Sequence, residues 1–456
     1  MHTNSSIYKK CSIVLVPVLM ITFAALNNAL NNYLELLVGT LIISVTIMAI
    51  TAYMGADKIF ATVSVLLINI GLIFQAINGS NNCSRIQSLY LIALVLSIIS
   101  VGVIIYGQTK LSSSLIQKIL AISVVVLYAV MLIFGTSVNG VKAWLNLGMI
   151  SFQVSELTKF ITVLFWTICL GNEELSEKRR VIECLIVYGL NFMVLMGISE
   201  IGTLVVLSII LMALLMLCIN DIRYSLLFIA GLLICITAGT LILYVIARLY
   251  DNHVNFVTTV CHKLWSKLYL RFDLWKHPDQ YDQFGLGYQY SQAMKALHLA
   301  GWLGNSKYSI FVPAGDTDYA FVSLVSYMGV IMGEIIILLY TVLFVSAFKS
   351  VYSCESTEKR ISVGMILVLT ISTFLTLFGS VGFIPISGMP LSFISYGGSN
   401  FLISLSALLY ILVVNSNNYE AIKSKIMNVN IKRQDSDKDK VQETKEVVLC
   451  RIKEED

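Results

Sequence analysis

Charge is scarce in this sequence. Charged residues make up 13% of its 456 positions, about half of the ~25% found in a soluble domain. That shortage excludes a soluble globular protein, a disordered chain and a nucleic-acid binder built on a basic surface. The net charge of +4 is too small to imply an acidic partner. Proline is scarce as well, five in the whole chain, which argues against a loop-rich or repetitive extracellular architecture. No CxxC pair and no Cys/His spacing suggests a metal site, and no organic cofactor is expected.

Nine cysteines are present, and their positions dismiss most of a disulfide reading. Cys169, Cys184, Cys218 and Cys235 lie inside apolar runs, where cysteine acts as a small hydrophobe. Cys11, Cys354 and Cys450 fall in segments expected in the cytoplasm, where thiols stay reduced. Only Cys83 and Cys261 would face outward, which leaves room for one bridge.

What fills the chain is apolar: 57% hydrophobic residues, gathered into long runs. A membrane-spanning helix needs about 20 mostly apolar residues, and about twelve candidates are found. They are 12–30, 34–54, 58–78, 88–107, 116–136, 154–171, 181–199, 201–219, 224–248, 319–347, 361–383 and 400–415. The first follows Lys9 and Lys10 without a small-residue cleavage site, so it reads as a retained helix rather than a signal peptide. The fold class is an all-α polytopic membrane protein.

Lysine and arginine in short loops orient such a chain, because they favour the cytoplasmic side. With the N-terminus inside, the inner loops hold Lys58, Lys110, Lys118, Lys178, Arg179, Arg180, Arg223, Lys349, Lys359 and Arg360. The short outer loops hold only Arg85 and Lys142. One domain is expected over 1–415. A charged tail of mixed sign, 416–456, reads as solvated, disordered and cytoplasmic, so both termini lie inside.

One outer segment, 249–318, is far longer than a connector at about 70 residues. It mixes aromatics with both charges, and Ser291–Leu299 can form an amphipathic helix on the membrane surface. Long ordered loops on a rigid scaffold are where function concentrates.

Several ionisable residues stand out. Glu156 and Lys159 lie three apart at the start of an apolar helix, hence on one face. They form either an internal salt bridge or a polar cavity lining. Glu334, deep in the 319–347 run, has no obvious partner. Glu200 opens its helix at the outer surface, where a carboxylate suits the positive helix end. Asp316 and Asp318 precede a helix as candidate caps. PISGMPLSFISYGGSN places two prolines and three glycines just before the last helix. Such backbone is either buried in protein or lines a wet cavity. Gly397, Gly398 and Ser399 at a helix start would present N–H groups to an anion, or simply form a tight turn with a serine cap.

Three separated stretches resemble the SEDS family (FtsW, RodA and SpoVE), polytopic glycosyltransferases that polymerise peptidoglycan. The first, NGVKAWLNLGMISFQVSELTKF from Asn139 to Phe160, resembles Asn-Gly-Ala-Arg-Arg-Trp followed by Phe-Gln-Pro-Ser-Glu and a lysine. Trp144, Gln153, Ser155, Glu156 and Lys159 match, Lys142 stands at an arginine position, and Val154 replaces the proline. The second, HPDQYDQFGLGYQYSQA, puts Asp282, six residues before Tyr288, at the family's essential aspartate, with Gly285, Gly287, Tyr288 and Gln289 matching around it. VPAGDTDYAF then matches at Pro313, Thr317, Asp318 and Phe321. The third, FIPISGMPLSFISYGGSN, is similar to Pro-x-Thr-Gly-x-Pro-Leu-Pro-Phe-x-Ser-Tyr-Gly-Gly-Ser and carries Ser395, Gly397, Gly398 and Ser399. A weaker fourth is SEIGTL, 199–204. The family's Glu-Glu pair after Thr-Asp-Phe is Ser326–Tyr327 here, which marks a divergent member.

The resemblance implies polymerisation of lipid II into glycan strands at the outer face of the bacterial cytoplasmic membrane, in division, elongation or sporulation. Asp282 would take the proton of the acceptor sugar hydroxyl, or hold a divalent cation, Mg or Mn, against the pyrophosphate leaving group. Asp273 and Asp279 rank below it. Lys142, Arg271 and Lys276 are the outer basic residues placed to meet the pyrophosphate. The expected partners are lipid II, membrane lipid and a class B penicillin-binding protein that cross-links the product. No nucleic acid is expected. Two other readings stay open: a flippase for a lipid-linked precursor, which would depend on a residue such as Glu334, and a catalytically inactive scaffold.

Overall fold

The computed structural model describes residues 33–78, 83–138, 141–146, 151–248, 256–277, 280, 285–304, 310–351 and 356–425. The expected span at 12–30, most of the charged tail and Asp282 lie outside the described residues.

Apolar runs closed by polar caps set the helix ends. α1 (Tyr33–Met54) is followed by α2 (Lys58–Ile77). Asp57 caps α2, its carboxylate accepting from Ile59 N at 2.7 Å and Phe60 N at 3.3 Å. α3 (Cys83–Lys110) and α4 (Ser113–Phe134) come next, the second capped by Ser112. After a small sheet, α5 (Val154–Leu170), α6 (Glu177–Gly197), α7 (Ile201–Cys218) and α8 (Ile222–Arg248) run consecutively. Later come α9 (Phe256–Lys276), α10 (Gly285–His298), α11 (Ala320–Met328), α12 (Val330–Ser350), α13 (Thr357–Ser380) and α14 (Gly398–Val414).

Nine helices among the described residues are long and apolar enough to cross a membrane: α1–α4, α6–α8, α12 and α13. α5 and α14 are equally apolar at 17 residues each. α2, α5, α13 and α14 are buried along most of their length and form the centre. The other long helices ring them. On the outside, α8 shows Leu226, Leu233, Ile234 and Leu241 to its surroundings, as a lipid-facing helix does. Polar pairs tie the apolar interior together: Asn69 Nδ2 donates to Ser44 Oγ at 3.0 Å, and Tyr128 OH to Asn191 Oδ1 at 2.6 Å.

The structure departs from the sequence expectations in four places. The 319–347 span is two helices, because Gly329 is left-handed at φ 93°. A Cβ there would lie 2.3 Å from the Trp302 carbonyl, so the turn at 301–304 sits against the break, and Val330 N donates to Gly301 O at 3.0 Å. Among its described residues the long segment 249–318 is largely helical. The helix expected at 291–299 is the second half of α10, and it packs Ala293 and Ala296 against Val312, Tyr319 and Val322. Cys261 carries a free thiol. Finally, α14 continues past a 91° bend into α15 (Tyr419–Lys425). That short helix is held by Lys423 Nζ on Glu358 Oε1 at 2.6 Å and by Asn418 Nδ2 on the Tyr53 carbonyl at 2.8 Å.

The small sheet has antiparallel order β1-β2-β3, with β1 (Thr136–Val138), β2 (Val141–Asn146) and β3 (Ser151–Gln153). Val138 pairs with Val141 and Trp144 with Gln153. This hairpin stands at the end of α4 and delivers the chain to α5.

Candidate active site

A cavity of about 510 Å³ opens at one end of the helix bundle. Six segments build it: the start of α3, the β-hairpin, the turn into α7, α9 with α10, the 316–318 stretch, and the irregular chain from Ile386 to the start of α14. Trp144, Gln153, Arg271, Gln289, Asp318, Gly397, Gly398 and Ser399 all line it. The fold therefore brings most of the expected site residues to one place from segments far apart in sequence.

The irregular segment is possible at this depth because side chains satisfy its backbone. Gln75 Nε2 donates to the carbonyls of Asp316 at 3.0 Å and Ile394 at 2.8 Å. Tyr340 OH donates to Ser392 O. Ser395 Oγ donates to Thr317 O at 2.6 Å and accepts from Leu391 N at 2.8 Å. Ser395 thus acts as an internal pin, and it is not part of the cavity wall. Gly71 of α2 abuts the same segment so closely that a Cβ would fall 2.0 Å from the Phe393 carbonyl. Among the described residues, three non-glycine ones hold left-handed backbone, Ser199, Ala314 and Phe393. Each belongs to a stretch that supplies the cavity, and strain of this kind gathers at functional sites.

Glu200 opens α7, as its place in the sequence suggests, but its carboxylate has partners that the sequence does not show. It makes no helix-capping hydrogen bond. Its Oε1 instead accepts from Ser155 Oγ at 2.6 Å, Gln153 Nε2 at 3.0 Å and Thr203 Oγ1 at 3.0 Å. The signal was the weak SEIGTL match, which put an acid beside Gly202 and Thr203. Burial pushes the Glu200 carboxyl above the usual range; hydrogen bonds from Ser155 and Thr203 and the Lys159 charge pull it down, while Glu156 adds to the rise. Behind this wall, Lys159 Nζ meets Glu156 Oε1 at 2.9 Å, both side chains almost fully buried. The salt-bridge reading of that pair is the observed one, and neither residue reaches the cavity surface.

Asp318 is pushed up to about 6, by burial first, against the pull of Arg271 and with a small addition from Asp316. Burial lowers the proton affinity of Arg271, and Asp318 and Glu200 offset part of that. Asp316 and Asp318 do not cap α11, whose first position follows Tyr319 without a side-chain cap. Arg85 completes the charged lining.

Other expected residues lie elsewhere. Lys142 Nζ donates to the Leu132 carbonyl at 2.6 Å and closes the C-terminal end of α4. Tyr288 is exposed and outside the cavity, one position before Gln289, which lines it. Lys276 is exposed at the end of α9. Because α12 starts at Val330, Glu334 sits in its first turns, exposed and away from the cavity. Asp282 falls outside the described residues, three positions before α10 begins.

The family model for FtsW/RodA/SpoVE cell cycle proteins matches residues 57–420. Over 300 residues the chain is 30% identical to a probable peptidoglycan glycosyltransferase FtsW of Coxiella burnetii, covering 61% of this chain and 72% of that protein. Over 359 residues it is 25% identical to the corresponding protein of Enterococcus hirae, covering 76% and 88%. Among solved structures, it resembles a chain of a peptidoglycan synthase complex that coordinates polymerization and crosslinking, with a TM-score of 0.57 at 19% identity. That match covers 79% of this chain and 97% of the other. A point mutant of the rod shape determining protein RodA of Thermus thermophilus shares the fold at a TM-score of 0.50 and 17% identity, with coverage of 79% and 97%.

Proposed function

The chain belongs to the FtsW/RodA/SpoVE family of cell cycle proteins, and on that premise we propose that it is a peptidoglycan glycosyltransferase that polymerises lipid II. The observation that carries the reading is the cavity itself. Its wall is shared by Trp144, Gln153, Gln289, Asp318 and the Gly397–Ser399 corner, which belong to the stretches that resemble the family, together with the basic Arg271.

In this mechanism the acceptor's sugar hydroxyl loses its proton to Asp282 as its oxygen bonds to the donor's anomeric carbon. The bond from that carbon to the diphosphate oxygen breaks, and the diphosphate leaves with the electron pair. Arg271 stands ready to meet the charge that develops there, and the nearby Asp318 carboxylate favours its charged form. A divalent cation, Mg or Mn, would neutralise charge on the diphosphate. Among the described residues no three His, Cys, Asp or Glu side chains group closely enough to hold one. Such an ion would draw on Asp282 and on substrate oxygens.

The cavity end of the bundle faces outward in this reading, with both termini in the cytoplasm, as the basic loops favour. A class B penicillin-binding protein is the proposed partner. In support, the structurally similar chain comes from a synthase complex that couples polymerization to crosslinking. Strand synthesis from lipid II by the purified protein, alone and with that partner, tests the function. Polymer from the wild type and none from Asp282→Asn supports it; absence of polymer with the partner present overturns it.

A further inference from the structure

The start of α14 is unusual for a buried helix. Its cap position is Gly397, and no side chain caps it. The first backbone bond into the helix runs from Phe401 N to Gly397 O, so the N–H groups of Gly398, Ser399 and Asn400 precede it. Ser399 cannot turn back to cap them, because its Oγ accepts from Gln153 N at 2.9 Å. A second, independent feature sits beside them. Asn400 is only 6% exposed, lines the cavity, and its Nδ2 has no hydrogen-bond partner. Its Oδ1 is already approached by Ser404 Oγ at 3.5 Å. A buried amide donor left without an acceptor is costly, about 1–3 kcal/mol, unless something in the cavity supplies one.

The helix end and this donor ask for the same thing, an anion with several oxygens. We propose that the N-terminus of α14 is a diphosphate subsite, in which the N–H groups of Gly398, Ser399 and Asn400 and the Asn400 side-chain amide bind the diphosphate of a lipid-linked sugar. The inference rests on the glycosyltransferase reading for the sugar and the lipid, and on the cavity alone for the diphosphate. Arg85 and Arg271 in the same wall add positive charge. Glu200, Asp316 and Asp318 oppose it, but Glu200 has one oxygen taken up by three donors. Gly398 has no Cβ to cover the approach, and the position is roomy: an added Cβ would meet only Leu89 Cδ2, at 4.0 Å.

The test is calorimetric titration of the full-length protein in lipid nanodiscs with farnesyl diphosphate and, separately, inorganic pyrophosphate. Asn400→Asp replaces the donor with an anion at the same size, and at least tenfold weaker binding is expected. Gly398→Ala fits without a clash and should weaken binding about threefold by crowding the backbone donors. If Asn400→Asp does not fold, Gly398→Ala decides. Wild-type binding that both variants retain, or no wild-type binding of either compound, overturns the subsite. Equal affinity for the two compounds assigns the helix end to the diphosphate group alone. Tighter binding of the farnesyl compound assigns it to the lipid-linked form. Diphosphate binding that depends on Asn400 in a protein that makes no strands leaves the subsite standing and removes the glycosyltransferase reading. Strand synthesis with binding indifferent to Asn400 does the reverse.

Discussion

Three donors converge on one oxygen of Glu200, and this arrangement decides what its replacement does. Glu200→Ala leaves Gln153, Ser155 and Thr203 without their acceptor in a buried wall. An unsatisfied buried polar group costs about 1–3 kcal/mol, so a clear fall in the thermal unfolding midpoint is expected in detergent. Glu200→Gln keeps a carbonyl oxygen for the donors and should unfold close to the wild type. Asp318 gives a pH test. Its carboxyl holds a proton up to about 6 in the fold, against 3.8 ordinarily. The folded state therefore binds the proton more tightly, and this group's contribution to stability falls as pH rises from about 4 to about 6 and is level above. The anion that forms above that point interacts favourably with the Arg271 charge, so strand synthesis should rise through pH 6. Asp318→Asn should remove that inflection from the pH–rate profile; a retained inflection assigns it to another group. At this scale the sequence was partly legible. Glu156 and Lys159 could be paired from their spacing, because a helix puts positions three apart on one face. The helix-start position of Glu200 was legible but its partners were not, since Gln153 and Ser155 lie more than forty residues away and only the fold brings them near.

Helices and turns were legible where hydropathy alone sets them, and illegible where a single close approach decides. The runs at 34–54, 58–78 and 201–219 match α1, α2 and α7 within a few residues. In sequence Gly329 is one more small residue in an apolar run, yet its left-handed backbone splits the expected span. The 249–318 segment read as a loop because a hydropathy threshold detects spanning, not helicity. Helices such as α9 and α10 keep charges on one side and pass below it. The hairpin had a signal that went unused, Asn139–Gly140 between Val138 and Val141, a favoured two-residue turn. Two glycines test the packing argument from opposite sides. Gly71→Ala would drive a methyl into the Phe393 carbonyl and displace the segment that carries Gly397 to Ser399. It should lower stability by about 1–3 kcal/mol and reduce strand synthesis with it. Gly189→Ala in α6 meets nothing within 4 Å and should leave activity intact while raising stability by up to ~1 kcal/mol. Unfolding midpoints of the two variants, side by side, check both expectations; a harmless Gly71→Ala would show that the segment yields.

Across the whole molecule, the basic clusters at the helix ends and the cavity sit at opposite ends of the bundle. The residues around the cavity occupy helix ends that alternate consistently: α3, α7 and α14 begin there, and α4 and α13 finish there. The other ends carry Lys178, Arg179 and Arg180 in the first turn of α6, Arg223 at the start of α8, Lys349 at the end of α12, and Arg360 in the first turn of α13. There Arg180 Nη1 donates to the Leu170 carbonyl at 2.6 Å and Arg360 Nη2 to the Gly171 carbonyl at 3.2 Å, so part of this charge also closes the C-terminal end of α5. Basic residues favour the cytoplasmic side, and lipid II polymerisation requires the cavity to open outward, so the two arguments must agree for the proposed function to hold. Single cysteines in a chain without its native ones test this directly in intact cells. Gln280→Cys, exposed near the cavity end, should react with a membrane-impermeant maleimide, and Lys178→Cys, exposed at the basic end, only after permeabilisation. The opposite labelling would put the cavity in the cytoplasm. Asp282 and the Gly398–Asn400 corner could then meet only the inner-leaflet face of a lipid-linked sugar, and an outer-leaflet polymerase would be ruled out whatever the residues around the cavity suggest.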